Sequence, residues 1–214
     1  RDGAAGYLLA PERGREGYDL LIRDLVAKGQ SPSRIAHFWL TTRGEDFRPG
    51  SSFFHRNLEQ GFYSLLFLAQ AIAEENLPRP IHLTVVSTGA AQVKAEALAA
   101  PEKATVLGPA RVIPRELPGV TVSTLDLALP DAPRRGKAAL DALATQVLEE
   151  LLAEPTAAIA ALRGEKRYEL GLKSVEIPDQ KFTLAPGAHV LITGGFGGIG
   201  LTIAEDLIRR FGAK

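Results

Sequence analysis

The chain has 214 residues, 25 basic and 25 acidic side chains, 45% hydrophobic residues, and neither cysteine nor methionine. Without cysteine it is neither a disulfide scaffold nor a thiolate metal site. With no net charge, nothing draws the whole molecule toward phosphate backbones or anionic lipid, so nucleic acid and membrane are not its expected partners. The most apolar stretch, residues 65–73, is broken by Gln70 and is far shorter than the ~20 residues of a bilayer span. No apolar leader opens the sequence, so the expected location is cytoplasmic. At roughly 100 to 200 residues per domain the length fits one domain with part of another. A chain without methionine reads as a segment of a longer protein.

Periodicity predicts alternating helices and short apolar strands, the pattern of an α/β fold with a mainly parallel sheet. A helix over residues 18–28 shows Tyr18, Leu21, Leu25 and Val26 on one face and stops at Gly29. A strand follows over 35–40, with Phe38 and Trp39 expected in the core. Residues 57–73 predict a helix with the stripe Leu58, Phe62, Leu65, Leu66, Ala69 and Ile72, an Asn57–Gln60 capping pair, and Pro78 and Pro80 beyond its end. Strands are expected at 81–87 and 120–125, separated by a helix over 104–116 that Gly108 and Pro109 interrupt. A helix over 137–153 carries Leu140, Leu143, Val147, Leu148 and Leu151 and ends before Pro155. Extended segments are expected at 159–162 and 167–175, then a linker over 178–187 and a last strand at 189–193.

That last strand runs into Thr193-Gly194-Gly195-Phe196-Gly197-Gly198-Ile199-Gly200 and a helix with the stripe Ile203, Leu207 and Phe211. Glycines allow a tight turn and close backbone approach. The helix N-terminus offers unpaired N–H groups and partial positive charge to a pyrophosphate. The strand-loop-helix order is the context that gives such a motif weight. Two registers fit: Gly195, Gly197 and Gly200 as GxGxxG, or Gly194, Gly198 and Gly200 as TGxxxGxG. Thr193 favours the second. A turn serving only helix-strand packing is the plainer alternative.

In the second register the loop resembles the short-chain dehydrogenase/reductase superfamily, and GGFGGIG is similar to the catalytic subdomain of a modular polyketide synthase ketoreductase. The strings IAHFWLTT, GFYSLLFLAQAIAE, HLTVVSTGAAQV, ATVLGPARVIPRELPGVTVSTLDL and LRGEKRYE resemble the structural subdomain that precedes that loop. The resemblance implies a Rossmann-like structural subdomain without cofactor over residues 1–177, the linker over 178–187, and the first strand-loop-helix of a second Rossmann fold over 188–214. It further implies a parent enzyme that reduces the β-keto group of a carrier-tethered acyl chain with NADPH. The partners implied are the remainder of the catalytic subdomain, an acyl carrier protein and neighbouring synthase domains. Thr193 to Gly200 would be this segment's share of the cofactor site. Thr41-Thr42-Arg43-Gly44-Glu45, after the first strand, lacks a glycine cradle, consistent with a supporting body.

The reductase chemistry needs a tyrosine with a lysine four residues later and a serine to hold the carbonyl. Four positions beyond Tyr7, Tyr18, Tyr63 and Tyr168 stand Pro11, Ile22, Phe67 and Leu172. Lys173 misses by one. Ser87, at a strand end, reads as a remnant or a simple hydroxyl, so no catalytic residue is assigned and the segment alone is expected to be inactive. The residue that separates NAD from NADP lies ~20 residues past the loop, and 14 residues follow Gly200. His37, His55, His82 and His189 have no metal-ligand spacing. His37, His82 and His189 are expected as core or sheet-edge residues, and His55 as a surface neighbour of Glu59. Arg163, Lys166 and Arg167 flank Gly164 as a solvated turn or, alternatively, a docking patch for an acidic carrier. Two rival readings stand: a ketoreductase-like module that only spaces neighbouring domains, and a free-standing dinucleotide-binding protein.

Overall fold

The computed structural model describes residues 6–43, 52–130, 136–176 and 183–214. The chain divides into two compact units, Arg1–Gly171 and Leu172–Lys214. The linker expected over 178–187 falls partly outside the described residues.

The first unit is built on a five-stranded sheet of order β1-β2-β3-β4-β5. Its strands are β1 (Arg34–Leu40), β2 (Ile81–Thr88), β3 (Val120–Leu127), β4 (Ile159–Arg163) and β5 (Lys166–Glu169). The first four are parallel, and β5 returns antiparallel to β4 through a turn at Gly164. Strands rich in Val, Ile, Leu and Thr suit a parallel sheet covered on both faces. Helices α1 (Glu16–Ala27), α2 (Ser52–Leu58), α3 (Ser64–Glu74), α4 (Leu107–Glu116) and α5 (Gly136–Leu152) connect them.

Successive strand residues serve two cores. Leu83 and Val85 pack with Tyr18, Ile22, Leu65 and Ile72, whereas Val86, Leu125 and Leu127 pack with Leu143 and Val147 of α5. Arg34 of β1 donates to the Leu151 and Ala153 carbonyls at 2.9 and 2.8 Å, placing a cation at the negative end of α5.

Several expectations change in detail. The helix expected over 57–73 begins by Ser52, so Asn57 is an interior residue whose amide donates to the Phe53 carbonyl, not a cap. A π-helical segment, Glu59–Tyr63, joins α2 to α3. Gly61 in it is buried against Leu40, where an added Cβ would stand 2.9 Å from Leu40 Cδ1. The extra residue of the π turn shifts the helical phase. Leu68 and Ala71 are therefore buried, and the predicted Phe62 and Leu66 lie only half in. The interrupted helix at 104–116 resolves into a 3-10 turn, Pro101–Val106, running straight into α4. Pro109 fits because it lies in the first turn, where its missing N–H costs nothing. In α1 the buried pair is Tyr18 and Ile22, and Val26 is exposed. Phe38 and Trp39 are not both in the core: they alternate across edge strand β1, and Phe38 is exposed. The segment expected to extend to residue 175 ends as strand at Glu169, because short β4 offers no further partners.

In the second unit, residues 189–193 do not form a sheet strand. A strand exists by pairing, and this segment's backbone bonds, among the described residues, run to Lys214: Val190 N–H to its carbonyl at 3.0 Å, with Lys214 N–H to the Ala188 carbonyl at 2.9 Å. His189 is accordingly exposed, neither core nor sheet edge. Helix α6 (Gly198–Phe211) follows the loop and closes on Gly212 at a φ of 61°.

Candidate functional site: a glycine turn and a self-satisfied crevice

Residues 193–196 form a turn closed by the Gly197 N–H on the Gly194 carbonyl at 3.0 Å. Gly194 has a φ of 70°, a conformation that side chains strain. Gly197 is extended and precedes α6, whose first intrahelical bond runs from Leu201 N–H to its carbonyl at 2.9 Å. Gly200, in the first turn, lies against the loop backbone. A Cβ there would stand 2.6 Å from the Gly194 oxygen and 2.8 Å from Gly195 Cα. Only glycine fits this contact without moving the turn.

No side chain caps α6, and its first turn carries no acidic residue. The N–H groups of Gly198, Ile199 and Gly200 are thus the orphan donors of a helix start, backed by the positive end of the dipole. An anion placed before them would find donors and, within that turn, no competing carboxylate. Thr193 to Gly200 thus span the turn and the first residues of α6. Phe196 and Ile199 are almost wholly exposed beside it.

In the first unit, a crevice of about 450 Å³ opens at the carboxyl ends of β1 to β4, where open α/β sheets hold ligands. Its two more buried cations, Lys103 and Arg163, are tied to the protein itself, whereas Arg43 at its rim is exposed and donates to the Pro130 carbonyl at 3.3 Å. Buried Lys103 donates to Thr42 Oγ1 at 2.6 Å and to Thr88 Oγ1 and the Thr88 carbonyl, each at 3.1 Å. Arg163 donates to Glu96 Oε1 at 2.7 Å and to Asp126 Oδ2 at 2.8 Å. Asp126, 3% exposed, also accepts from the Ser87 hydroxyl at 2.9 Å and the Ala90 N–H at 2.8 Å. Burial opposes the Arg163 charge, but its bonds to Glu96 and Asp126 outweigh that, so its pKa is raised. The Arg163 bonds and the Val93 N–H hold Glu96 below the usual carboxylate range.

The predicted basic cluster therefore divides. Arg163 faces inward, Arg167 pairs with Glu150 at 2.5 Å and with Glu169, and Lys166 is exposed on the turn. Sequence reasoning missed the Asp126–Arg163–Glu96 network and buried Lys103. The detectable signal was an aspartate inside the apolar strand VTVSTLDL. Ser87 is a buried strand-end hydroxyl bonded to Asp126. Among the described residues no group of three His, Asp or Glu could hold a metal, and no helix is long and apolar enough to cross a membrane.

The fold is that of an α/β protein with a mostly parallel, Rossmann-like sheet. Residues 2–143 match the model of the family described as beta-ketoacyl synthase-like, N-terminal, and the chain belongs to that family. It is 25% identical over 150 residues to phenolphthiocerol/phthiocerol polyketide synthase subunits C and D of Mycobacterium tuberculosis. That match covers 69% of this chain and 8% of each relative, so the chain spans less than a tenth of their length. Among solved structures, it is similar to an adenylation, ketoreductase and pseudo-Asub multidomain structure of a keto acid-selecting NRPS module. There the TM-score is 0.66 at 29% identity, covering 95% of this chain and 16% of the other. A C2-type ketoreductase from a modular polyketide synthase matches with a TM-score of 0.63 at 23% identity, over 95% of this chain and 42% of that one. The first ketoreductase of the tylosin PKS gives 0.63 at 20% identity, over 91% and 37%. The fold is thus that of polyketide synthase ketoreductases, as the resemblance implied.

Proposed function

We propose that this chain is the supporting body and the start of the cofactor cradle of a ketoreductase in a multidomain synthase. The parent would transfer hydride from NADPH to the β-keto group of an acyl chain held on a carrier protein. The observation that carries this reading is the contact of Gly200 on the Gly194 backbone at the uncapped start of α6. It is a cradle that an added methyl group would fill, and its donor set suits a pyrophosphate. When bound, NADPH supplies the hydride. This chain's residues would hold its pyrophosphate through the N–H groups around Gly194 to Gly200.

The first unit has a crevice in the position of a nucleotide site, but Thr42, Thr88, Glu96 and Asp126 engage Lys103 and Arg163, two of the cations that line it. This supports a bracing role there. A module that only spaces neighbouring domains would need neither the positive φ at Gly194 nor the close approach at Gly200.

Titration of NADPH fluorescence tests the proposal, using the 214-residue chain beside a form carrying the whole reductase. Tight binding and turnover are expected only in the whole reductase, because the chain holds no Tyr-x-x-x-Lys pair. Ketone reduction by the 214-residue chain would contradict the reading. So would absence of NADPH binding by the whole reductase.

A further inference from the structure

Three buried polar side chains from three elements form a hydrogen-bonded chain that the proposed function does not use. Tyr18 of α1 is 1% exposed, Ser64 of α3 0% and His37 of β1 4%. The Tyr18 hydroxyl donates to Ser64 Oγ at 2.6 Å, and Ser64 Oγ lies 2.8 Å from His37 Nε2. Ser64 has one proton. With Tyr18 donating to it, that proton goes to Nε2, so the ring is neutral and carries its own proton on Nδ1. Nδ1 is buried and, among the described residues, makes no hydrogen bond of good geometry, its own backbone carbonyl being the acceptor that acts on it.

We propose that His37, Ser64 and Tyr18 form an acid-operated latch that holds α1 on the sheet at neutral pH and releases it when His37 is protonated. A proton on Nε2 turns that atom from acceptor to donor. Ser64 Oγ must then accept from the ring, and its own proton has to turn toward Tyr18, whose hydroxyl loses its acceptor. If Tyr18 keeps donating instead, the Ser64 proton is the one left over. Either way a buried donor is unpaired beside a buried cation, and the relief is to lift Tyr18 out. A groove of about 360 Å³ along α1 and β1, lined by Tyr18, Leu21, Ile35, His37, Trp39 and Leu68, is where water would enter.

Among the described residues no charged group is a cause of the His37 shift; the polar groups around the ring are Ser64 from α3 and, bonded to it, Tyr18 from α1, with Val85 of β2 beside His37 in the sheet register. Burial raises the Tyr18 pKa, Ser64 lowers it, and Glu12 in the 3-10 turn Pro11–Arg13 adds to the rise. At the surface α1 is tied to the end of α3 by Arg15–Glu74 at 3.6 Å and to the residue beyond it by Arg23–Glu75 at 2.7 Å.

Burial lowers the His37 pKa to about 4, more than its own backbone carbonyl raises it. A hydrated histidine titrates near ~6.5. As pH falls below that value the released form takes up a proton and the docked form does not, so release becomes easier until about pH 4. The two pKa values give about a thirtyfold rise in the opening of α1 at pH 5.

Hydrogen exchange of the full chain at pH 7.5 and pH 5, normalised for intrinsic rates, tests the latch. The expected result is a rise of about thirtyfold in the opening of α1 with β2 and β3 unchanged, accompanied by a red shift of Trp39 emission. His37→Gln should remove the pH step. Because that variant replaces a buried ring, Tyr18→Phe is the second test: it frees Ser64 to accept from the charged ring and should shrink the step without removing His37. Glu12→Gln should leave it in place. The latch is overturned if α1 protection is independent of pH, if α1 and β2–β3 lose protection together, or if the step persists in both His37→Gln and Tyr18→Phe. Loss of the step in Glu12→Gln would also overturn it.

Discussion

Arg163→Met is expected to destabilise the first unit by about 3 kcal/mol, the scale for breaking a buried ion pair from one side. Asp126 is the reason. Its carboxylate sits in the core at 3% exposure, where Ser87 and the Ala90 N–H supply hydrogen bonds and Arg163 supplies the balancing charge. Methionine keeps much of the side-chain volume, so the loss reports the charge rather than a cavity. Urea unfolding followed by circular dichroism measures it. Asp126→Asn in the same chain should recover part of the loss, because the two residues act as one unit and their effects do not add. A loss below about 1 kcal/mol would mean that the pair behaves as an exposed one.

Gly200→Ala is expected to weaken NADPH binding by the whole reductase about thirtyfold, equivalent to about 2 kcal/mol of forced displacement in a packed site. The added methyl has no flexible neighbour to push aside, since its nearest atoms are the Gly194 oxygen and Gly195 Cα. The turn itself must move, carrying the first α6 amides with it. Gly198→Ala makes the comparison sharper. Its Cβ would meet nothing within 4 Å and its φ is not positive, so stability should be unchanged. A loss of NADPH affinity in that variant reports ligand approach alone and selects the TGxxxGxG register. Wild-type affinity in Gly198→Ala would favour Gly195 and Gly197 instead. Wild-type affinity in Gly200→Ala would remove the cradle as the binding element.

The strands β1 to β4 were legible because buried parallel strands are near-continuous apolar runs. The α5 helix was legible from its leucine stripe. What sequence missed depended on partners distant along the chain. The π turn at Glu59–Tyr63 arises where Gly61 meets Leu40, a contact between a helix and an edge strand that no local periodicity encodes. Asp126, Arg163 and Glu96 are 30 or more residues apart and meet only because β3 and β4 pair in register. His37 was expected in the core, but its relation to Ser64 and Tyr18 required the packing of α1 and α3 on β1. Residues 189–193 have strand composition without a sheet to join among the described residues. The tight turn at Gly194 and the helix after it were legible, because that information lies in contiguous residues and in their need for backbone proximity.

The division of labour between a cofactor loop and a bracing body is tested most directly by hydrogen exchange of the whole reductase with and without NADPH. Protection is expected at residues 193–200 and the first turn of α6, with none at residues 88–91 or 126–130 beside the crevice of the first unit. Protection at that crevice, or its absence at 193–200, would contradict this assignment.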